Sequence, residues 1–456
     1  MSGTPIKLRV AIWCVCIWII TPGADFVPSG GGVGGLTLAM ALSQYPNIEV
    51  NVYEAATTFT EIGAGIGLWW RTRMVLRELN LEDDVMRLLD TRPSENRTPT
   101  LHYRKADQPE GVSFATIESR GGLVGVHRAE FHEVILRRLS PLCGKHTSKR
   151  LVQYIQSGDG SVQLVFQDGS TATCDLLVGA DGLKSNVRST LMQEFAATAE
   201  QSGRIPEAAE IRDCIRPRYS GVLVYRTLIP AEILRRVAPQ HRVFGGAVQY
   251  LGKNRHLMAY PVSRGRFINL AAFDVDPGQE GSFYTEAWVT VADPRGVASL
   301  FQGWEPEVGQ LIACLAGLKV NRWAVNVVKP LPSFASANVA LLGDAAHAMT
   351  PFQGAGAGQA IEDAYILSAL LGHRLTSRRT LANALRIYSS IRQPQTARVA
   401  ERSRENGLHF ALHGLNGTGL RAVGERIQAN FEWVSETDPL DDLRRAVGML
   451  EAAGAQ

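Results

Sequence analysis

The chain has 456 residues, of which 45% are hydrophobic and 20% charged, and its formal net charge is +3 at pH 7. This length and composition predict a soluble globular protein of more than one domain. Because the net positive charge is small and the sequence has no long Lys/Arg run, there is no basis for a nucleic-acid partner. The six scattered cysteines have neither metal nor redox spacing, so we expect reduced thiols, no bound metal and a cytoplasmic location.

The first predicted strand, Lys7 to Ile12, is separated from a glycine-rich turn by an anomalous segment, residues 13–29. This segment has the basic start, apolar stretch and small-residue site of a signal peptide, but cleavage would remove the strand. As a membrane anchor, the apolar residues 10–20 fall short of the about twenty residues that a span needs. A retained intron covering Trp13 to Pro28 and a tolerated loop are the other interpretations. Membrane association or secretion through residues 10–20 therefore stays open as an alternative.

The glycine turn begins a nucleotide-binding pattern. Gly30, Gly32 and Gly35 have the G-x-G-x-x-G spacing, and an apolar helix and a strand ending at Glu54 follow them. In such a unit the turn and the helix N-terminus bind a pyrophosphate, and the acidic residue binds a ribose hydroxyl. The pattern predicts a dinucleotide site at these four residues.

Two further segments carry candidate ligand contacts. A glycine stretch ending at Gly67 precedes the pair Trp69-Trp70 and an amphipathic helix. The two adjacent tryptophans either only fill a gap in the core or have a further role. Arg128 begins a helix directly after an apolar strand. It is therefore either a surface helix residue or a guanidinium that reaches a pyrophosphate.

The middle of the chain changes its pattern. Asp181 lies between an apolar strand and a helix, where it caps the helix, contacts a ligand, or does both. Between Thr190 and Leu331 the sequence alternates as several strands, which predicts an inserted antiparallel sheet. From about Thr376 onward the pattern is helical and rich in Arg.

A Gly-Asp segment is the most informative part of the sequence. The apolar run ending at Leu342 is followed by Asp344 and by a small-residue turn, Gly354 to Gly358, that opens a helix. Asp344 can accept hydrogen bonds from hydroxyls, and glycines expose amide N–H groups near a helix N-terminus. The segment predicts a site for a sugar-phosphate chain at Asp344, Gly354, Gly356 and Ala357.

These motifs, in this order, resemble those of the FAD-dependent aromatic hydroxylases, the class A flavoprotein monooxygenases. That family includes salicylate hydroxylase and the fungal dearomatising phenol and polyketide hydroxylases. The resemblance implies an α/β fold: a Rossmann-like FAD-binding domain, an inserted, mostly antiparallel β-sheet substrate domain, and a C-terminal helical region. The implied boundaries are 1–188 and 332–375 for the FAD-binding domain, 189–331 for the substrate domain and 376–456 for the C-terminal helices.

The same resemblance implies the ligands and the role of each motif. Asp344 would hold the ribityl chain of FAD, Gly67 would lie near the flavin, and Arg128 would contact FAD. Asp181 would lie near both FAD and a transient nicotinamide cofactor, NADPH or NADH. In this family the reduced flavin and O2 together transfer one oxygen atom to a small, electron-rich aromatic substrate.

Two residues of the predicted sheet suit activation of a phenol. Arg226 would stabilise a phenolate, and Tyr260 would give a directional hydrogen bond. By analogy with the dearomatising hydroxylases they are the expected catalytic pair, while a salt-bridged surface Arg and a core Tyr are the alternative. Phe352 stands where similar salicylate hydroxylases usually carry His, which argues against salicylate as the substrate.

The sequence therefore predicts a monooxygenase that uses FAD, NADPH and O2 to hydroxylate a phenolic, polyketide-derived substrate of secondary metabolism, with or without dearomatisation. A salicylate-type decarboxylative hydroxylase is the second enzymatic interpretation. A non-catalytic product, whose displaced first strand prevents FAD binding, is the third.

Overall fold

The computed structural model describes residues 5–14, 32–59, 65–89, 92–414 and 419–454. The strands in chain order are β1 (Leu8–Cys14), β2 (Ile48–Glu54), β3 (Gly65–Leu68), β4 (Arg97–Lys105), β5 (Val112–Arg120), β6 (Val124–His127), β7 (Gly144–His146), β8 (Leu151–Gln156), β9 (Val162–Phe166), β10 (Thr171–Cys174), β11 (Leu176–Ala180), β12 (Arg218–Pro230), β13 (Ala247–Gly252), β14 (Arg255–Val262), β15 (Phe267–Val275), β16 (Val289–Ala292), β17 (Val320–Val327) and β18 (Val339–Leu341). The α-helices are α1 (Val33–Leu42), α2 (Trp70–Glu78), α3 (Glu82–Met86), α4 (Arg128–Arg138), α5 (Asn186–Gln201), α6 (Ile205–Asp213), α7 (Ala231–Val237), α8 (Pro294–Leu300), α9 (Pro306–Ala313), α10 (Asp344–His347), α11 (Gly356–Gly372), α12 (Leu381–Phe410), α13 (Leu420–Phe431), α14 (Trp433–Glu436) and α15 (Pro439–Gly454).

A five-stranded parallel sheet forms the nucleotide-binding half of the protein. Its strand order is β18-β11-β1-β2-β7, so the first strand of the chain lies at the centre. Every residue of β11 is buried, as the continuous apolar sequence of a strand covered on both faces requires. Helices α1 and α11 pack against each other beside this sheet. The predicted Rossmann-like fold is confirmed.

The first strand is longer than the sequence predicts. The prediction ended it at Ile12, but Trp13 and Cys14 continue the pairing, with Trp13 opposite Tyr53 and Cys14 opposite Glu54. Both side chains are buried, so removal of a segment beginning at Trp13 would shorten the central strand. The rest of the anomalous segment and Gly30 lie outside the described residues. Of the helices that the structure describes, none has the length and apolar character to span a membrane.

The second large element is an eight-stranded sheet of order β16-β17-β12-β15-β14-β13-β4-β5. Its neighbours pair antiparallel except β13 and β4, which are parallel. The sequence predicts this sheet between Thr190 and Leu331, and the structure adds β4 and β5 from the first part of the chain. One face of the sheet carries Ile268, Leu270 and their neighbours and packs against α7, α8 and α9.

The opposite face of this sheet looks towards the nucleotide-binding half. It carries Val224, Ala271 and Phe273, because successive side chains of a strand alternate between the faces. The C-terminal helices α12 and α13 contribute Phe410 and Phe431 to the same apolar cluster. The predicted helical C-terminus thus packs against the sheet and encloses the space between the two halves.

Candidate active site

One cavity of about 880 Å³ lies between the parallel sheet, the β3–β6 ribbon and the inner face of the large sheet. Most of the residues predicted for the site line it. They are Gly32, Gly35, Gly67, Arg128, Arg226, Tyr260, Asp344, Gly354, Gly356 and Ala357. Glu54 and Asp181 are not among the lining residues within the described ranges.

Two helix N-termini lie on the wall of the cavity. The ten-residue α1 begins after Gly32, and the seventeen-residue α11 begins at Gly356, both on the cavity wall. The first N–H groups of a helix have no partner within the helix and attract anions. At Gly356 nothing lies within 4 Å of the position that a Cβ would take, so any side chain there would project into free space. Gly354, with a φ of 59°, supplies the left-handed turn that precedes this helix.

Asp344 presents an exposed carboxylate to the cavity between these helices. Behind it, the turn is fixed by Asp363, which accepts hydrogen bonds from the Gly343 amide at 3.0 Å and from the His347 ring at 2.6 Å. Burial opposes ionisation of Asp363, but the charges and hydrogen bonds of His347 and Arg392 lower its pKa to about 2. A charged network outside the cavity therefore holds the Gly-Asp turn in place.

The Asp-Gly motif has a structural role in the described residues. The Asp181 carboxylate accepts hydrogen bonds from the Ser185 hydroxyl at 2.5 Å and the Asn186 amide at 2.8 Å, so it caps the start of α5. Its neighbours Ala180 and Gly182 line the cavity instead. The expected contact of Asp181 with cofactors stays a prediction.

Glu54 is fully buried at the end of β2. Its carboxylate accepts a hydrogen bond of 2.8 Å from the Ala56 amide. It pairs in register with Cys14, next to the segment that lies outside the described residues. Its predicted contact with a ribose also stays a prediction.

Gln353, directly before the turn at Gly354, joins this wall of the cavity to the C-terminal helices. Its backbone carbonyl accepts a hydrogen bond from Trp69 Nε1 at 2.8 Å, and its side-chain oxygen accepts one from Trp433 Nε1 at 3.0 Å. Trp69 also packs on Phe431 with ring centroids 5.4 Å apart. Trp69 therefore both lines the cavity and links its wall to α13, which goes beyond filling a core gap.

The inner face of the large sheet presents Arg226 and Tyr260 to the cavity. No carboxylate forms an ion pair with Arg226 in the part of the chain that is described. Burial lowers the pKa of Arg226, partly offset by Tyr260 nearby, and burial raises the pKa of Tyr260. The Tyr260 hydroxyl lies against β3, 3.0 Å from the position that a Cβ on Gly65 would take. The structure thus brings the expected pair together beside the β3–β6 ribbon.

An aromatic cluster closes the other end of this face. His256 stacks on Phe273 with ring centroids 4.3 Å apart, and the edges of Phe352 and Phe410 complete its surroundings. Burial lowers the pKa of His256 to about 3, so the ring is neutral. This end of the cavity is therefore apolar and uncharged.

Several residues in and around the site have no recognisable signal in the sequence. Arg188 is buried and donates a hydrogen bond of 2.9 Å to the Ala345 carbonyl, which ties the Asp-Gly segment to the Gly-Asp turn. Burial lowers its pKa to about 10. Its position seven residues after Asp181 was visible, but its partner lies 157 positions away. Gln249, His256 and Gln353 gave no signal either, because their contacts depend on sheet register and on the C-terminal helices.

A wall with two helix N-termini, an open glycine and an exposed carboxylate fits a group that carries both phosphates and hydroxyls. Residues 29–227 and 293–403 match the FAD binding domain family, so the chain belongs to that family. It is 40% identical to an FAD-dependent monooxygenase of Strobilurus tenacellus, over 92% of this chain and 96% of the relative. It is 33% identical to a salicylate hydroxylase of Pseudomonas putida, over 92% and 94% of the two chains.

The folds agree as well. A salicylate hydroxylase substrate complex superimposes with a TM-score of 0.78 at 26% identity, covering 96% of this chain and 98% of the other. The protein is thus an FAD-dependent monooxygenase of the salicylate hydroxylase type. Within the described ranges, no group of His, Cys, Asp or Glu side chains is arranged to hold a metal ion.

Proposed function

We propose that this monooxygenase uses NADPH, or NADH, and O2 to hydroxylate a phenol that Arg226 and Tyr260 bind as its phenolate. The observation that carries the proposal is the position of Arg226, a cation on the cavity wall with no carboxylate partner among the described residues. FAD, when bound, supplies the electron and oxygen transfer. The side chains of the protein bind the substrate, set its protonation state and exclude water.

A desolvated cation favours an anion beside it. Burial lowers the pKa of Arg226, which shows that its surroundings disfavour the charged form. A phenol placed there loses its proton more readily, because the guanidinium stabilises the oxyanion. The phenolate is the more electron-rich ring, so the same charge that binds the substrate also activates it for attack by an electrophilic oxygen.

Tyr260 adds a directional hydrogen bond to the charge that Arg226 supplies. Because burial raises the pKa of Tyr260, its hydroxyl keeps its proton at neutral pH and can donate a hydrogen bond to an oxyanion. The hydroxyl lies against β3 beside Gly65, and the family places its flavin along this glycine stretch. The pair therefore fixes the substrate oxygen at the boundary between the cofactor and substrate parts of the cavity.

We extend the proposal to phenols without a carboxylate, of the polyketide-derived kind, hydroxylated with or without dearomatisation. The support is the aromatic end of the cavity, where Phe352, Phe410 and the neutral His256 offer no cation to a carboxylate. Salicylate carries such a carboxylate, and burying that charge without a partner at this end costs far more than burying a neutral hydroxyl. A decarboxylative reaction is therefore disfavoured.

The test begins with the absorbance spectrum of the purified chain, which should show bound flavin. NADPH and NADH oxidation is then followed with resorcylic aldehydes, simple phenols and salicylate, and product masses are recorded. A gain of one oxygen atom with a phenol that lacks a carboxylate is expected. Release of carbon dioxide from salicylate as the main reaction would contradict the proposal, and a colourless protein without turnover would support the non-catalytic alternative.

A further inference from the structure

We infer that Gln249, oriented by His256, forms a second polar contact for the substrate and accepts a hydrogen bond from a second hydroxyl group on it. The inference rests on the proposed function and narrows it to phenols with two hydroxyl groups at opposite ends. Gln249 and His256 both line the cavity. Gln249 is a specificity-determining residue in this assignment, and His256 is a positioning residue.

The register of the sheet sets the two polar contacts in one row. Arg226 pairs with Ala271, Ala271 with Met258, and Met258 with Gln249, so the four side chains share the inner face. Three strand spacings place the Cα atoms of Arg226 and Gln249 about 14 Å apart. The small Ala271 and the unbranched Met258 form the floor between them. An aromatic substrate that contacts Arg226 can therefore direct its far end at Gln249.

The hydrogen bond to His256 determines which atom of the Gln249 side-chain amide remains available to the substrate. The Gln249 amide nitrogen lies 2.6 Å from His256 Nδ1. An amide N–H only donates, so Nδ1 accepts and the ring proton is on Nε2. The amide oxygen of Gln249 has no hydrogen bond to the described residues and is not sealed from the cavity. Gln249 therefore presents an acceptor, which calls for a donor on the substrate.

The surroundings of His256 keep this orientation fixed. The ring is fully buried and stacked on Phe273, with Phe352 and Phe410 at its sides. Nε2 has no nitrogen or oxygen partner among the described residues. The ring cannot turn without displacing these aromatic side chains, and its neutral state preserves Nδ1 as an acceptor. A carboxylate at this end would meet an acceptor and be repelled, whereas a hydroxyl would be bound.

Three substrates test the assignment on the flavin-loaded enzyme: 2,5-dihydroxybenzaldehyde, whose hydroxyl groups lie at opposite ends of the ring, its 5-methoxy analogue and 2-hydroxybenzaldehyde. We expect kcat/KM for the dihydroxy compound to exceed both others by about 3- to 10-fold, the value of one net hydrogen bond. Gln249→Met, which keeps the length of the side chain, should bring these ratios to near one. His256→Phe, which keeps the stacking but removes Nδ1, should lower the ratios as well.

The ratios distinguish recognition from a general loss of activity, because a poorly folded variant loses turnover of all three compounds alike. Gln201→Met, at the exposed end of α5, is the matched control and should leave the ratios unchanged. Wild-type ratios near one, or ratios that persist in Gln249→Met, would overturn the inference while the proposed function stands. Failure of the wild-type enzyme to hydroxylate any phenol would instead overturn the proposed function.

Discussion

Arg226 provides a test in which stability and activity should change in opposite directions. Arg226→Met removes a charge that no described carboxylate pairs and keeps an unbranched side chain of similar length. A cation and a phenolate about 4 Å apart, at an effective dielectric constant of about 20, attract by about 4 kcal/mol. We therefore expect kcat/KM at pH 7 to fall about a thousandfold.

The pH dependence of the variant should reveal the reason. With a phenol of solution pKa about 10, the wild-type enzyme ionises its substrate on binding, but the variant depends on phenolate from solution. Its kcat/KM should rise about tenfold per pH unit between about pH 7 and pH 9, since the phenolate fraction does so. Product mass assays at several pH values measure this. A flat pH profile in the variant, or more than a tenth of wild-type activity, would refute the role of Arg226.

The stability of the same variant should increase. Burial lowers the pKa of Arg226, so the folded protein carries a cost for keeping it charged. Removing an unsatisfied buried group relieves about 1–3 kcal/mol, which should raise the melting temperature by roughly 1–3 °C. Arg421→Met is the matched control, because this side chain is 94% exposed and should change neither property. A destabilised Arg226→Met would show that the guanidinium has a structural partner.

Three further predictions concern neighbouring groups. Tyr260→Phe should lower kcat/KM about 10- to 100-fold with FAD affinity unchanged, since one hydrogen bond to a charged oxygen is lost; an unchanged rate would remove Tyr260 from the site. Gly356→Leu should weaken FAD binding in a fluorescence titration, because its side chain would enter the cavity, whereas Gly309→Leu, with an equally open but exposed glycine, should not. Asp363→Asn should lower unfolding free energy by about 3–5 kcal/mol at pH 7. Because the pKa of Asp363 is depressed to about 2, the pH-dependent part of its contribution is present above about pH 4 and lost towards pH 2. In acid titrations the difference between variant and wild type should therefore narrow by about 2 kcal/mol, and a constant difference would contradict this.

The cofactor side of the cavity was predictable because its contacts are local. Gly67, Asp344 and Gly356 stand where a strand, a turn and a helix follow one another within a few residues, and Gly32 directly precedes α1. Such turns place backbone amides and short side chains by geometry alone, so the residue types reveal the function. All four line the cavity, although their contacts with FAD stay predictions.

The substrate side was less predictable because its contacts are long-range. Gln249 and Arg226 face the same space only through the register of four strands. In the sequence, Phe431 is one apolar position of an amphipathic helix. Its packing on Trp69 joins residues more than 350 positions apart, which the sequence does not indicate. Likewise, β4 enters the large sheet beside β13 in a parallel pairing that alternation alone cannot indicate. Side-chain pattern predicts which face is apolar, but not which distant segment covers it.

The order of strands in the parallel sheet also bears on when the enzyme can acquire its cofactor. The central strand β1 is synthesised first, while β18, which completes the sheet beside β11, follows β11 by about 160 residues that include most of the large sheet. The turn at Gly356 and Trp433, which donates a hydrogen bond to Gln353 just before this turn, come later still. A nascent chain therefore exposes the unpaired edge of β11 throughout synthesis of the inserted sheet. The wall that would hold FAD is therefore complete only once nearly the whole polypeptide has been synthesised.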